Sequence, residues 1–350
     1  MASKMFQESS SSPEAIARLL SQDEELYSAI GGQLRASCPA FVATIARGSS
    51  DHACNYGAYM ITAILGVPAI SLSPSIVTLY KTALRMSGSL AIGASQSGKS
   101  PDIVEALEAC GRAGAKTVAF VNVEDSPMAK LANTFFPLCA GPELSVAATK
   151  TVIAGMAALA RFIGHWAGDN ALLDGLKDIP GALEKAQRAD LGPIVELFHS
   201  KSSALVLGRG PTWSIALEAA LKLKETCSLQ AESFSSAEVK HGPKALIEPG
   251  YPILVFAPRG PARQSIIDTA NEMRALGASV ILVATKGAKG TEGGDERADV
   301  LLDAPGGTES HWLDSIVMIQ AFHLAAEQIA RARGLNPDDP PHLNKVTLTV

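Results

Sequence analysis

Apolar runs of strand length alternate with stretches of helical period along this chain. The run Phe41 to Ala46 leads into the loop RGSSDH and a helical pattern reaching Leu65. The strand-like segments VPAISL and SLAIGA follow, then a helix over 102–113 and the strand TVAFVNV. Short continuous apolar runs bounded by turn residues suit strands buried on both faces, and their alternation with helices predicts a parallel sheet covered by helices. An Ala-rich helix is expected from about Ala147 to Trp166, then a polar helical stretch to about Phe198. Ahead of the first strand, residues 1–12 are polar and Ser-rich, and Ser12-Pro13-Glu14 reads as an N-cap with Pro at the first helical position.

After Phe198 the pattern begins again with ALVLGRGPTWSIALEAALKLKE. Gly48 in ARGSS corresponds to Gly210 in GRGPT, and Gly114 in RAGAKTVAF corresponds to Gly277 in ALGASVILV, at an offset that differs by a single position between the two pairs. An offset that barely drifts implies two copies of one βαβ-type unit, a pseudo-symmetric pair. The organisation expected is an N-terminal helical segment over 1–30, a first domain over 31–170 and a helical linker over 171–195, with a second domain over 196–335 and a tail over 336–350. Ligands of such sheets bind at the carboxyl ends of the strands, so the loop after each strand is where chemistry is sought.

Composition narrows the function classes. With 47% apolar residues, 350 residues can bury the cores of two ordinary domains. Thirty basic and 35 acidic side chains give a net charge of -5, with no broad basic surface for nucleic acid or anionic lipid. The five cysteines show no CxxC spacing, which suits a reducing, cytoplasmic setting. The N-terminus lacks a signal-peptide pattern, and no apolar stretch is long enough to span a bilayer. No set of His, Cys and carboxylates has metal-ligand spacing, so no metal and no cofactor are expected.

Residues 93–100, GASQSGKS, formally match the nucleotide-binding pattern GxxxxGK[ST]. Pro101 argues against that reading, because it biases Ser100 away from helical geometry, makes it an N-cap and leaves Lys99 in the loop. The loop instead offers Ser95, Gln96, Ser97 and Ser100 beside the backbone N–H groups of a helix N-terminus, a set suited to one phosphate dianion. Taken alone it reads equally as a Ser-rich cap without a ligand. Ser49 and Ser50, which follow the first strand in the same way, tip the reading toward a shared anion.

In the second copy, Glu218, Lys222 and Glu225 lie four and three residues apart, on one helix face. Spacing alone makes this a solvated salt-bridge stripe. The segment AESFSSAEVKHGPKALIEPG adds Glu238, Lys240 and His241 on an irregular, Gly-Pro-broken stretch, where chemistry is commoner than on helix faces. His241 alone reads equally as a turn histidine bonded to backbone. His311 and His323 read as packing residues of the last apolar helix.

Six blocks in order carry a resemblance: RGSS at 47–50, SQSGKS at 95–100, ELSVAATK at 143–150, ALEAALKLKE at 216–225, AEVKHGP at 237–243 and the tail LNKVTLTV. From about position 40 to position 350 the sequence resembles the SIS (sugar isomerase) family, specifically the isomerase half of glutamine–fructose-6-phosphate aminotransferase and the stand-alone SIS-type glucosamine-6-phosphate deaminases. The resemblance implies an α/β fold of two tandem SIS domains, each a parallel five-stranded sheet flanked by helices, three-layered and flavodoxin-like. It also implies that Ser50, Ser95, Gln96, Ser97 and Ser100 hold the substrate phosphate and that Ser49, Val146 and Asn344 line the sugar. Glu225 would shuttle a proton between C1 and C2, with Glu218 and Lys222 close to it. His241 would open the ring and reach the site from the partner subunit of a homodimer. Lys345 would correspond to the lysine that forms a Schiff base with the open-chain ketose.

Two departures from the family pattern shape the expectation. Lys99 replaces the usual acidic residue of SQSGE, and only a short stretch precedes the first strand at Phe41, so no glutaminase domain is expected. The reaction expected is glucosamine 6-phosphate plus water to fructose 6-phosphate plus ammonia. Another aldose–ketose isomerase or a fructosamine-phosphate deglycase is the enzymatic alternative, and a sugar-phosphate-binding regulator without turnover is the alternative of another class.

Overall fold

The computed structural model describes residues 2–286 and 298–345. It holds two five-stranded sheets, each entirely parallel. The first contains β1 (Val42–Ile45), β2 (Ala69–Ser71), β3 (Leu90–Ser95), β4 (Lys116–Val121) and β5 (Thr134–Pro137), in the order β2-β1-β3-β4-β5. The second contains β6 (Ser203–Gly208), β7 (Gln230–Ser235), β8 (Pro252–Ala257), β9 (Ser279–Thr285) and β10 (Val300–Leu302), in the order β10-β9-β8-β6-β7. Read from the other edge, the second order repeats the first strand for strand. It is the doubly wound order in which the sequence of strands reverses between the first and third, opening a crevice at their carboxyl ends.

Continuous apolar strands explain the parallel pairing, since helices must cover both faces. All six residues of β3 and all six of β8 are buried. One core gathers Ile45, Ala91, Ile103, Leu107 and Val121; the other gathers Leu207, Val255, Ile266, Met273 and Leu282. The duplication extends to backbone conformation. Gly48, Gly88, Gly98 and Gly114 all have positive φ, and so do Gly210, Gly250, Gly260 and Gly277. At Gly98 the requirement is also steric, because an added Cβ would stand 2.2 Å from the Ser126 hydroxyl oxygen.

The chain divides into two compact units. Among the described residues, the first comprises Glu14–Glu143, Lys150–Leu173 and residues 344–345; the second comprises the stretch up to Pro13, Leu144–Thr149 and the described part of Asp174–Leu343. Four features differ from expectation. Residues Lys4–Ser10 form a helix capped by Ser3, and Asp338 accepts from the backbone N–H groups of Lys4 and Met5, so this polar segment is held by a partner near the other end of the chain. The Ala-rich helix starts at Lys150, after the point its composition suggests. Strand β5 is not legible in the sequence pattern, and the polar stretch after Trp166 breaks into the short helices Asn170–Lys177, Ile179–Ala186 and Gly192–Phe198.

Candidate active site

In the first unit, two serine-bearing loops flank the crevice between β1 and β3. The helix Gly48–Leu65 begins directly after β1, placing Ser49 and Ser50 in its first turn. After β3, the Gly98 N–H donates to Ser95 Oγ at 2.9 Å and the Lys99 N–H to Ser97 Oγ at 3.3 Å, curling the loop ahead of the helix Pro101–Arg112. Ser100 flanks that helix with extended backbone, and its side chain makes no capping bond. Lys99 is exposed in the loop. A glycine-cornered loop beside a helix N-terminus presents N–H groups and hydroxyls to an anion. Arg47 fastens the two loops together: its Nε and Nη2 lie 3.0 and 2.9 Å from Oδ2 of buried Asp102. Nearby, Asp51 accepts from Ser71 and Asn55, and burial pushes its carboxyl pKa up despite them.

The same unit holds the lysine of the tail. Lys345 Nζ donates to Glu143 Oε2 at 3.1 Å, and the Glu143 side chain is fully buried. Glu143 also accepts from the Thr151 N–H and hydroxyl, at 3.1 and 2.7 Å, which sets it at the N-terminus of the helix Lys150–Ala167. There the orphan amide and the helix dipole favour a carboxylate. Glu143 opens the block ELSVAATK, yet sequence reasoning misses its role, because nothing local links it to a lysine far along the chain. Asn344 is exposed, and residues 346–350 of the tail block lie outside the described residues.

In the second unit, the helix Pro211–Cys227 carries the charged triplet, and the stripe is not solvated. Lys222 is 0% exposed; its Nζ lies 3.2 Å from Glu218 Oε1 and 2.5 Å from Glu225 Oε2. Glu218 is buried, whereas Glu225 keeps 23% of its side chain open. Burial by itself would lower the Lys222 pKa, but the two carboxylates outweigh it and the net shift is upward. His323, from the helix Asp314–Ala332, completes the cluster, its Nε2 3.4 Å from Glu218 Oε1. The packing position expected for it holds, since it is fully buried on the last helix, and it lies beside a carboxylate as well.

His241 ends a short 3-10 turn, Glu238–His241, and is exposed. No hydrogen bond or ion pair of the described residues joins it to Glu218, Lys222 or Glu225. Its neighbour Lys240 is paired with Glu272 at 2.6 Å. Val146 lies in Leu144–Thr149, where the backbone N–H groups of Leu144 and Ser145 both donate to the Glu8 carboxylate. Among the described residues, no cluster of His, Cys, Asp and Glu is arranged to hold a metal ion, and no helix is long and apolar enough to cross a membrane.

Comparison with known proteins gives this architecture a context. The SIS domain model matches residues 38–163 and 196–330. Glutamine–fructose-6-phosphate aminotransferase of Methanothermobacter thermautotrophicus is 33% identical over 346 residues, covering 97% of this chain and 56% of that protein. The enzyme of the same name from Aquifex aeolicus is 34% identical over 312 residues, covering 88% of this chain and 52% of its own length. The chain thus spans about half the length of the curated relatives it matches. Among solved structures, a protein from Silicibacter pomeroyi described as a phosphosugar isomerase is 38% identical, with a TM-score of 0.86 and coverage of 96% of this chain and 100% of that one. The C-terminal domain of the Francisella tularensis aminotransferase is 26% identical with the same TM-score of 0.86, covering 97% of this chain and 99% of that one.

Proposed function

Because the chain belongs to the SIS domain family, we propose that it isomerises a phosphorylated amino sugar, converting glucosamine 6-phosphate and water to fructose 6-phosphate and ammonia. The observation that carries this reading is the buried Glu218–Lys222–Glu225 cluster, of which Glu225 alone keeps an open end. A carboxylate backed by a buried ammonium and open on one side is suited to take a proton from C2 of an open-chain sugar and return it to C1. The product of that transfer is a C2 imine, which water hydrolyses to the ketose and ammonia.

The remaining groups take supporting roles. Ser50, Ser95, Gln96, Ser97 and Ser100 hold the phosphate dianion, and Ser49, Val146 and Asn344 line the sugar. His241 protonates the ring oxygen during opening, and its exposure supports service in the site of a second copy. Glu143 is placed to accept the proton that the Lys345 amine must shed before attacking a carbonyl, which supports a Schiff-base role for that lysine.

The test is incubation of the purified protein with glucosamine 6-phosphate, without glutamine, metal or nucleotide, following ammonia and fructose 6-phosphate together. Equal appearance of both is expected. A rise in melting temperature without either product would keep the sugar-phosphate site and move the substrate to another amine adduct. Absence of both product and binding would overturn the reading.

A further inference from the structure

Lys222 stands between two carboxyl side chains, so one ammonium is shared by two acids. Charges removed from water are costly unless compensated. On the helix Asp314–Ala332, His323 is fully buried beside Ile319, Phe322, Leu324 and Ala326 and shares its face with buried Gln320 and Glu327, and an imidazole there loses hydration for no packing gain over leucine. The carboxylate it faces is Glu218, at 3.4 Å.

We infer that His323 is a positioning residue for the proton shuttle, acting through Glu218; the inference rests on the function proposed above. Glu218 Oε1 lies 3.4 Å from His323 Nε2 and 3.2 Å from Lys222 Nζ. With His323 compensating Glu218, the Lys222 ammonium is directed to Glu225, the closer of its two partners, at 2.5 Å against 3.2 Å. Without the imidazole, Glu218 would draw the ammonium to itself, and Glu225 would lose the cation that fixes its rotamer toward the substrate. Groups that orient metal ligands indirectly matter by about 10- to 100-fold when removed, and a loss of the same order is expected here. Nothing in the chain order announces the link, since His323 and Glu218 lie on different helices, one in the middle of the second repeat's first crossover and the other near the end of the chain.

The experiment compares His323→Leu, which keeps volume and removes the donor, with His323→Gln, which keeps an N–H donor. Turnover and solvent-deuterium incorporation at C1 of the product are measured beside binding of the sugar phosphate. For His323→Leu the expectation is a fall in kcat of about 10- to 100-fold with KM within about twofold, and recovery of most of that loss in His323→Gln. A cycle with Glu218→Gln should be strongly non-additive, because both changes act through one carboxylate. Equal activity of His323→Leu and the unaltered protein overturns the inference, as does loss in His323→Leu and His323→Gln alike, or additivity in the cycle. Glu225→Gln, run in parallel, separates the two levels. If it is inactive while His323→Leu is unimpaired, only the positioning role fails; if Glu225→Gln turns over normally, the shuttle itself fails and the inference with it.

Discussion

The two repeats share a strand order and a set of left-handed glycines, yet equivalent positions carry opposite chemistry. At the offset fixed by Gly48 and Gly210, Glu218 and Lys222 of the second repeat correspond to Tyr56 and Met60 of the first, and all four side chains are buried. One helix face is filled by apolar core, the other by an ionic cluster. Beyond the third strand of each sheet the contrast reverses. The first repeat presents Ser95, Gln96, Ser97 and Ser100 at its carboxyl edge. The second closes that edge with Arg259, 7% exposed, held by fully buried Asp314 and by the carbonyls of Pro305, Gly306 and Gly307. A duplicated scaffold fixes where side chains project, and the side chains then decide which copy carries hydroxyls at its carboxyl edge and which holds charge in its interior.

The largest expected break comes from Glu225→Gln. Turnover should fall by about 10²- to 10⁴-fold in a steady-state assay while sugar-phosphate binding persists, because the shuttle is lost and the phosphate loops are untouched. Next are two stability tests. Lys222→Met copies Met60 of the first repeat but removes the cation shared by Glu218 and Glu225, and Arg259→Met removes the one paired with Asp314. Each should cost about 3–5 kcal/mol in denaturant unfolding. Only the first change should also damage turnover, which sharpens the division between the repeats.

Ser100→Ala is a milder probe of the other side of the comparison. Its hydroxyl makes no capping bond, so stability should hold while sugar-phosphate affinity drops by about 1.5–3 kcal/mol, roughly 10- to 100-fold, in a calorimetric titration. The smallest effect is in pH dependence. The Lys222 pKa is raised above its ordinary value of 10.5, so its contribution to stability is fully present below that value and fades as pH climbs through the higher folded value. Unfolding free energy measured on either side of pH 10.5 should fall less steeply in Lys222→Met than in the unaltered protein.

Much of this was legible in the chain. Runs such as LAIGAS and PILVFA announce strands buried on both faces, and the glycine spacing announces the repeat. Pro101 does mark the start of its helix, at the first helical position, and leaves Lys99 exposed in the loop. What escaped are relations between distant segments. The helix Lys4–Ser10 is polar in isolation and is held by Asp338; the stripe Glu218, Lys222, Glu225 looks solvated until a second helix covers it.

The sequence by itself determined the fold class, the duplication and the loops at the crevice of the first repeat, because hydrophobic period, turn residues and positive-φ glycines act within a short reach of chain. Only the tertiary structure decided that the charged triplet is buried, that Glu143 holds Lys345 and that His323 faces Glu218. Burial and charge pairing are properties of whichever segments fold against one another, and here those segments lie far apart along the chain.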